Sequence, residues 1–185
     1  MSDALLIIDM QQYVQQRIDQ GIDMFPHRGI ASGLSLLNAY RQRQRPVIHI
    51  YHHDHDKQGT LHPDQAAAMP LEGFQPLPNE KFFIKHTSSA FSHTELHQHL
   101  MAEGISHLTV IGAVAGFCVN STVRAAADLG LKVTLVDDAV LSFALAGTPY
   151  NAELLWNTTL ALLAADFAEL SSLAQWRSKN ENSIE

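Results

Sequence analysis

The stretch LTVIGAVAGFCVNSTVRAAADLGLKVTLV, residues 108–136, contains a strand, a loop, a helix and a second strand in order. Apolar runs at residues 108–111 and 132–136 predict two buried strands. Between them, a loop with two glycines leads into a helix predicted over residues 118–129, which Gly130 ends in the usual C-terminal position. This order is typical of a parallel β-α-β unit.

Similar apolar runs extend this pattern in both directions. They predict further strands at residues 4–8, 47–51, 81–84 and 168–170. Strands that alternate with helices favour a three-layer α/β/α fold with a Rossmann-like parallel sheet of about six strands.

Helices are predicted between these strands. Apolar residues at helical spacing indicate one helix over residues 30–40, and a second follows over residues 150–164. Ser92 and Glu95 form a capping-box pattern for another helix, which Gly104 would end. Residues 52–79 have four prolines and no clear periodicity, so we expect a long functional or mobile loop there.

The composition fits one domain, residues 1–185, that can bury a core without disulfides. The 12 Lys and Arg against 19 Asp and Glu give a formal charge of -7, which disfavours nucleic acids and anionic membranes as partners. Cys118 is the single cysteine, which excludes an intramolecular disulfide, and no run resembles a signal peptide or a membrane span. We therefore expect a cytoplasmic protein whose partner is a small molecule.

Three reactive side chains follow predicted strands: Asp9 the first, Lys85 the third and Cys118 the fourth. Because the carboxyl ends of parallel strands share one edge, where ligands bind, these residues can converge. A helix N-terminus and a nearby ammonium would lower the pKa of the Cys118 thiol. We therefore expect Cys118 as a nucleophile, Asp9 as its base and Lys85 as the electrostatic partner.

Each of these residues also has a structural interpretation. A lone cysteine is more often part of the core, an aspartate more often caps a turn, and a lysine more often lies on the solvated surface. Only the joint placement of the three residues at one sheet edge favours catalysis.

Three sequence blocks, in order and at matching spacing, resemble the isochorismatase-like cysteine hydrolases. They are ALLIIDMQ at residues 4–11, FFIKHTSSAF at residues 82–91 and VIGAVAGFCVNST at residues 110–122. The resemblance spans about residues 4–140. It implies the α/β/α fold, a catalytic triad of Asp9, Lys85 and Cys118 and a homo-oligomeric assembly; for reasons of this sequence's own, given below for the histidines, we expect no cofactor.

The resemblance also implies details of the mechanism. It places a cis peptide bond before the cysteine, by position Val114-Ala115, although the family's usual threonine is replaced by Ala115 here. Cys118 would lose its proton to Asp9 and attack a carbonyl, with backbone N–H groups of Cys118 and this loop around the oxyanion. The same carboxylate would then activate water to hydrolyse the thioester. The candidate pocket residues are Tyr13, Phe91 and Phe117.

The eleven histidines, which all lie between His27 and His107, suggest a metal site. Nicotinamidases of this family bind a divalent cation through an Asp-x-His pair and a further histidine, and Asp54, His55 and His62 offer related ligands. However, the alignment places His52 where the metal-binding aspartate would lie and puts Asp54 in the histidine position. We therefore expect no metal.

Three functions remain open from the sequence. The first is hydrolysis of a small amide, ureide or related carbonyl compound through a thioester. The second is hydrolysis of an isochorismate-type vinyl ether, which needs an acid and not a thiol. The third is a non-catalytic binding or assembly protein that has kept the fold.

Overall fold

A central sheet lies between two layers of helices in the computed structural model, which describes residues 2–181. The strands are β1 (Ser2–Ile8), β2 (Met24–Phe25), β3 (Val47–His52), β4 (Lys81–Lys85), β5 (Ile105–Ala113), β6 (Lys132–Phe143) and β7 (Glu169–Ser171). The α-helices are α1 (Gln12–Asp19), α2 (Gly29–Gln42), α3 (Leu96–Ala102), α4 (Asn120–Asp128), α5 (Ala152–Asp166) and α6 (Leu173–Glu181). A 3₁₀ turn covers Ala66–Ala68, and a π-helical turn covers Ala115–Val119.

The strand order is β2-β6-β5-β1-β3-β4, with β7 also paired to β6. Every pairing is parallel except that of β2 with β6. The three-layer α/β fold with a mostly parallel sheet is therefore confirmed. The sequence pattern missed β2, because two residues are too few for a visible alternation.

The two faces of the sheet bury separate cores, and β1 contributes to both. Leu6 and Ile8 pack on the side of α3, α4 and α5, where Val123 of α4 is buried. Leu5 packs on the opposite side, together with Leu37 of α2. Successive strand side chains point to opposite faces, so a central parallel strand covered on both sides is apolar throughout. This explains why β1 has a continuous apolar run.

The predicted start of helix α3 is wrong, and the helix expected from about Cys118 has a different first turn. Helix α3 begins at Leu96, and its N-cap residue Glu95 makes no side-chain cap hydrogen bond, so the capping box of Ser92 and Glu95 does not form. Instead, the Thr94 hydroxyl accepts a hydrogen bond from the backbone N–H of Leu96. The helix expected to begin at Cys118 is preceded by the π-helical turn, and α4 itself starts at Asn120.

Strands β1 and β5 approach each other very closely where Ile8 lies opposite Gly112. Gly112 has a φ of +128°, and a Cβ atom built on it would lie 2.1 Å from the carbonyl oxygen of Ile8. Only glycine fits such a position. The absence of a side chain at Gly112 therefore sets the spacing of these two strands beside the site described below.

No helix within residues 2–181 has the length and the apolar character needed to cross a bilayer.

Candidate active site

Asp9 lies directly after β1, at the carboxyl edge of the sheet. Its φ of +50° is in the left-handed region, which aspartate and asparagine tolerate better than most residues. The Asp9 N–H donates to the carbonyl of Ile50, which ties this turn to β3. The residue is 8% exposed, so its carboxylate is largely removed from water.

Lys85 is the last residue of β4 and is fully buried. Strand β3 separates β4 from β1, and the register places Lys85 opposite His52 of β3. The long lysine side chain spans this distance, and its Nζ lies 2.8 Å from Oδ2 of Asp9. A buried ammonium needs such partners, because an unpaired charge in the interior is strongly unfavourable.

Cys118 lies in the π-helical turn that follows β5. The cis peptide bond in this segment is Ala113-Val114, one residue before the predicted Val114-Ala115 bond. The carbonyl of Val114 accepts hydrogen bonds from the N–H groups of Phe117 and Val119, and these bonds close the turn. The Cys118 sulfur lies 3.2 Å from Nζ of Lys85.

The structure therefore brings together the three residues predicted from the sequence. A fourth side chain joins them: Nδ1 of His52 lies 3.0 Å from Nζ of Lys85. We refer to Lys85, Asp9, His52 and Cys118 as the Lys85 cluster. Oδ1 of Asp9 has no hydrogen-bond partner among the described residues, so this oxygen is available to accept a proton.

The pKa of the Cys118 thiol differs from the sequence-based expectation. Burial raises this pKa, the negative charge of Asp9 raises it further, and the charge of Lys85 offsets only part of the effect, so the pKa reaches about 12. The expected lowering of the thiol pKa is therefore wrong. The raised pKa favours the protonated form of the sulfur at neutral pH.

Asp9, His52 and Cys118 of the Lys85 cluster line a cavity of about 260 Å³, whereas Lys85 itself lies behind them. Two predicted pocket residues, Tyr13 and Phe117, line this cavity, as does Val114. Phe91 does not, because it packs against the hydrophobic core and its ring contacts His97. Ala115 is fully buried in the π-helical turn and is also absent from the lining. The lining residues that the sequence did not identify are Gln11, His52, Leu61 and Ala113.

Gln11 had a weak signal in the sequence, because it ends the ALLIIDMQ block. Its side-chain oxygen accepts from the N–H of His52, and its side-chain nitrogen donates to the His52 carbonyl and to the Ala68 carbonyl. These bonds cross from the end of β1 to the end of β3 and to the loop. Gln11 therefore fixes the backbone of His52 beside Lys85.

The candidate metal ligands from the histidine-rich loop do not come together. Oδ2 of Asp54 accepts from the Leu61 N–H, His55 stacks on His86, and Nδ1 of His62 accepts from the Asp64 N–H. Within the described part of the chain, the only group with metal-ligand spacing consists of Asp9, His52 and Cys118, whose ligand atoms lie within 4.8 Å of one another. Nζ of Lys85 contacts all three residues, so the ammonium already supplies a positive charge there.

Known proteins share both the sequence pattern and the fold of this chain. The Isochorismatase domain model matches residues 3–175. A solved structure of a protein of the isochorismatase family from Chromobacterium violaceum is 30% identical to this chain, and the two folds superpose with a TM-score of 0.90. The match covers 98% of this chain and 94% of that one.

Two curated relatives extend the comparison. YddQ, an isochorismatase family protein of Bacillus subtilis, is 29% identical over 143 residues, covering 75% of this chain and 77% of the relative. Nicotinamidase 3 of Arabidopsis thaliana is 28% identical over 181 residues, covering 90% of this chain and 83% of the relative. The family model spans most of the chain, and its relatives include hydrolases. This chain therefore belongs to the isochorismatase family, and it is a hydrolase.

Proposed function

We propose that the protein hydrolyses a small amide or ureide through a covalent thioester on Cys118. The observation that carries this proposal is the contact of the Lys85 ammonium with both the Asp9 carboxylate and the Cys118 sulfur at the edge of a cavity. A nucleophile, a base and a positive charge in contact are the groups that acyl transfer requires.

The first half of the reaction forms the thioester. Because the pKa of Cys118 is raised, the thiol loses its proton only as the sulfur attacks the carbonyl carbon, and Oδ1 of Asp9 accepts that proton. Backbone N–H groups around Cys118 would stabilise the oxyanion. Protonated Asp9 then transfers the proton to the leaving nitrogen, and the amine departs.

The second half regenerates the enzyme. Asp9, again ionised, removes a proton from water, and the resulting hydroxide attacks the thioester carbon. The carbon–sulfur bond breaks, the acid leaves, and the proton on Asp9 returns to the sulfur. Lys85 stays charged throughout and stabilises whichever of Asp9 and Cys118 is anionic.

The cavity limits the substrate. Its volume of about 260 Å³ suits a molecule of few heavy atoms, and its lining includes the apolar side chains of Leu61, Val114 and Phe117. Asp9 is the only Asp, Glu, Lys or Arg in this lining, and the Lys85 ammonium balances its charge, so a neutral substrate fits best. The relative named Nicotinamidase 3 supports an amide as the scissile group.

The test is ammonia release from a panel of small amides, ureides and nicotinamide, compared between the wild-type protein and Cys118→Ser. We expect at least one substrate, loss of turnover in the variant, and an acyl adduct on the wild-type chain by intact-protein mass spectrometry. The proposal is wrong if no panel member is hydrolysed, or if Cys118→Ser retains turnover. Hydrolysis of a vinyl ether that does not require Cys118 would also contradict it.

A further inference from the structure

We propose that His52 is a positioning residue, a neutral imidazole whose Nδ1 accepts the third hydrogen of the Lys85 ammonium and so holds that ammonium against Asp9 and Cys118. The inference rests on the proposed function, since it concerns the charge that would stabilise the nucleophile and the base. It assigns a role to a residue outside the Asp-Lys-Cys triad.

The Lys85 ammonium needs three hydrogen-bond acceptors. A lysine ammonium has three N–H donors and no acceptor. Nζ of Lys85 has three neighbours at hydrogen-bond distance: Oδ2 of Asp9 at 2.8 Å, Nδ1 of His52 at 3.0 Å and Sγ of Cys118 at 3.2 Å. The Lys85 side chain is fully buried, so His52 supplies an acceptor in a place largely shielded from water.

This contact fixes the tautomer of His52. Because Lys85 can only donate, Nδ1 must carry the lone pair, and the proton of the neutral ring must lie on Nε2. Nε2 faces Oδ1 of Asp54 at 3.4 Å, an arrangement that favours a proton on this nitrogen. Burial and the charge of Lys85 lower the pKa of His52, against the raising influence of Asp9 and Asp54, which supports the neutral ring.

The backbone around His52 is held from two sides. The side chain of Gln11 both donates to the carbonyl and accepts from the N–H of His52, at 3.0 Å and 2.9 Å. On the other side, His52 pairs in register with Lys85, and the N–H of His53 donates to the Lys85 carbonyl. The acceptor and the donor are therefore fixed relative to each other before any substrate binds.

The arrangement makes His52 unsuitable as a general base. Its accepting nitrogen is already bonded to a cation, and protonation at Nδ1 would place two positive groups in contact. The role left to the ring is to hold the ammonium. Without that acceptor, one N–H of a buried cation would lack a partner, and the ammonium could turn away from the sulfur.

Two substitutions at the same position test the role. In His52→Asn the amide oxygen can replace the Nδ1 acceptor, whereas His52→Leu removes the acceptor and keeps an apolar side chain of moderate size. We expect His52→Leu to lower kcat/KM by about 10- to 100-fold, mainly through kcat, and His52→Asn to recover most of that loss. His55→Asn is the matched control, because His55 lies in the segment directly after His52 and stacks on His86. Equal losses in the two folded His52 variants would overturn the proposal.

Two readouts do not depend on turnover. Nitrogen-15 NMR of the unsubstituted enzyme should show His52 as the Nε2-protonated neutral tautomer, with its signals identified by their loss in His52→Asn. Iodoacetamide should modify Cys118 several-fold more slowly in His52→Leu than in His52→Asn at one mildly alkaline pH. A proton on Nδ1 at neutral pH would overturn the proposal even if His52→Leu failed to fold. If Cys118→Ser retained turnover, the proposed function would fail, while the tautomer and the alkylation rates would still decide the role of His52.

Discussion

Strand β4 has a buried charged cluster at each end, and the two clusters are arranged in opposite ways. At its amino end, the Glu80 carboxylate accepts from Arg41, from the Leu77 N–H and from Nε2 of His49; we refer to these residues as the Glu80 cluster. At its carboxyl end, the Lys85 ammonium donates to three acceptors.

The clusters differ in what is left unpaired on the carboxylate. Both oxygens of Glu80 accept hydrogen bonds. In the Lys85 cluster, Oδ1 of Asp9 has no partner among residues 2–181, and Asp9 lines a cavity. A carboxylate with both oxygens hydrogen-bonded stabilises the fold, whereas a carboxylate with one unbonded oxygen beside a cavity can exchange a proton with a ligand. The Glu80 cluster therefore has the features of a structural ion pair, whereas the Lys85 cluster has those of a reactive site.

The largest expected effect is a difference in kcat between variants of Asp9 and of Glu80. Asp9→Asn should lower kcat by about 10²- to 10⁴-fold, because the amide cannot accept the thiol proton. Asparagine also tolerates the positive φ at this position, so the backbone need not change. The matched variant Glu80→Gln should keep near wild-type kcat. Steady-state kinetics on an identified amide measures both variants, and circular dichroism checks that they are folded. If Glu80→Gln lost as much activity as Asp9→Asn, the two carboxylates would not differ in function.

The next largest effect is on the free energy of unfolding, when either Lys85 or Arg41 loses its charge. Lys85→Met leaves Asp9 without its ion-pair partner in a buried site, so we expect a loss of about 3–5 kcal/mol in the free energy of unfolding. Arg41→Met should cost less, about 1–3 kcal/mol, because Glu80 keeps the donors from His49 and Leu77. Urea unfolding of both variants measures the difference. A Lys85→Met protein as stable as the wild type would show that the ion pair is unimportant for the fold.

A smaller effect is expected in acid. Burial alone would raise the pKa of Glu80, but hydrogen bonds from Arg41, Leu77 and His49 outweigh it and lower the pKa from 4.5 to about 2. The unfolded chain therefore binds more protons in this range, and the stability that ionised Glu80 contributes is present above pH 4.5 and lost as the pH falls toward 2. Between these values the wild type should lose on the order of 2 kcal/mol more than Glu80→Gln. Parallel stability curves in urea would contradict this assignment.

The smallest expected effect sharpens the description of the nucleophile. Because the pKa of Cys118 is raised to about 12, iodoacetamide should modify the resting thiol at least about tenfold more slowly than free cysteine at neutral pH. The rate should keep rising well into the alkaline range as the thiolate forms. Mass spectrometry of the alkylated chain measures the rate, and faster modification than that of free cysteine would show a preformed thiolate instead.

The sequence predicted the positions of the reactive residues because their placement follows from the order of the elements. Asp9 follows an apolar strand, and Lys85 and Cys118 lie at or just after the ends of two others, so parallel pairing alone brings them to one edge. The burial of Lys85 and the raised pKa of Cys118 could not be predicted in this way. Both depend on how tightly the loops close over the sheet edge.

Other features were missed because they join residues far apart in the chain. The contacts of His52 with Gln11 and with Lys85 cross between strands, and neither has a periodic pattern. The cis bond at Ala113-Val114 was placed one residue late, because the family pattern gives the loop and not the exact peptide. Phe91 was expected in the pocket, but its distance from the cavity depends on the turn between Lys85 and α3.

The close approach at Gly112 has a consequence for any effort to change the substrate by laboratory evolution. Asp9 and Cys118, the proposed base and nucleophile, follow the adjacent strands β1 and β5, so the distance between them depends on this close contact, where glycine has a hydrogen atom in place of a side chain. A methyl group at position 112 would push β1 and β5 apart and so increase the distance between Asp9 and Cys118, although residue 112 does not itself line the cavity. Libraries that vary Leu61, Tyr13 and Phe117 explore the shape of the cavity, whereas position 112 must stay constant for the chemistry to remain available.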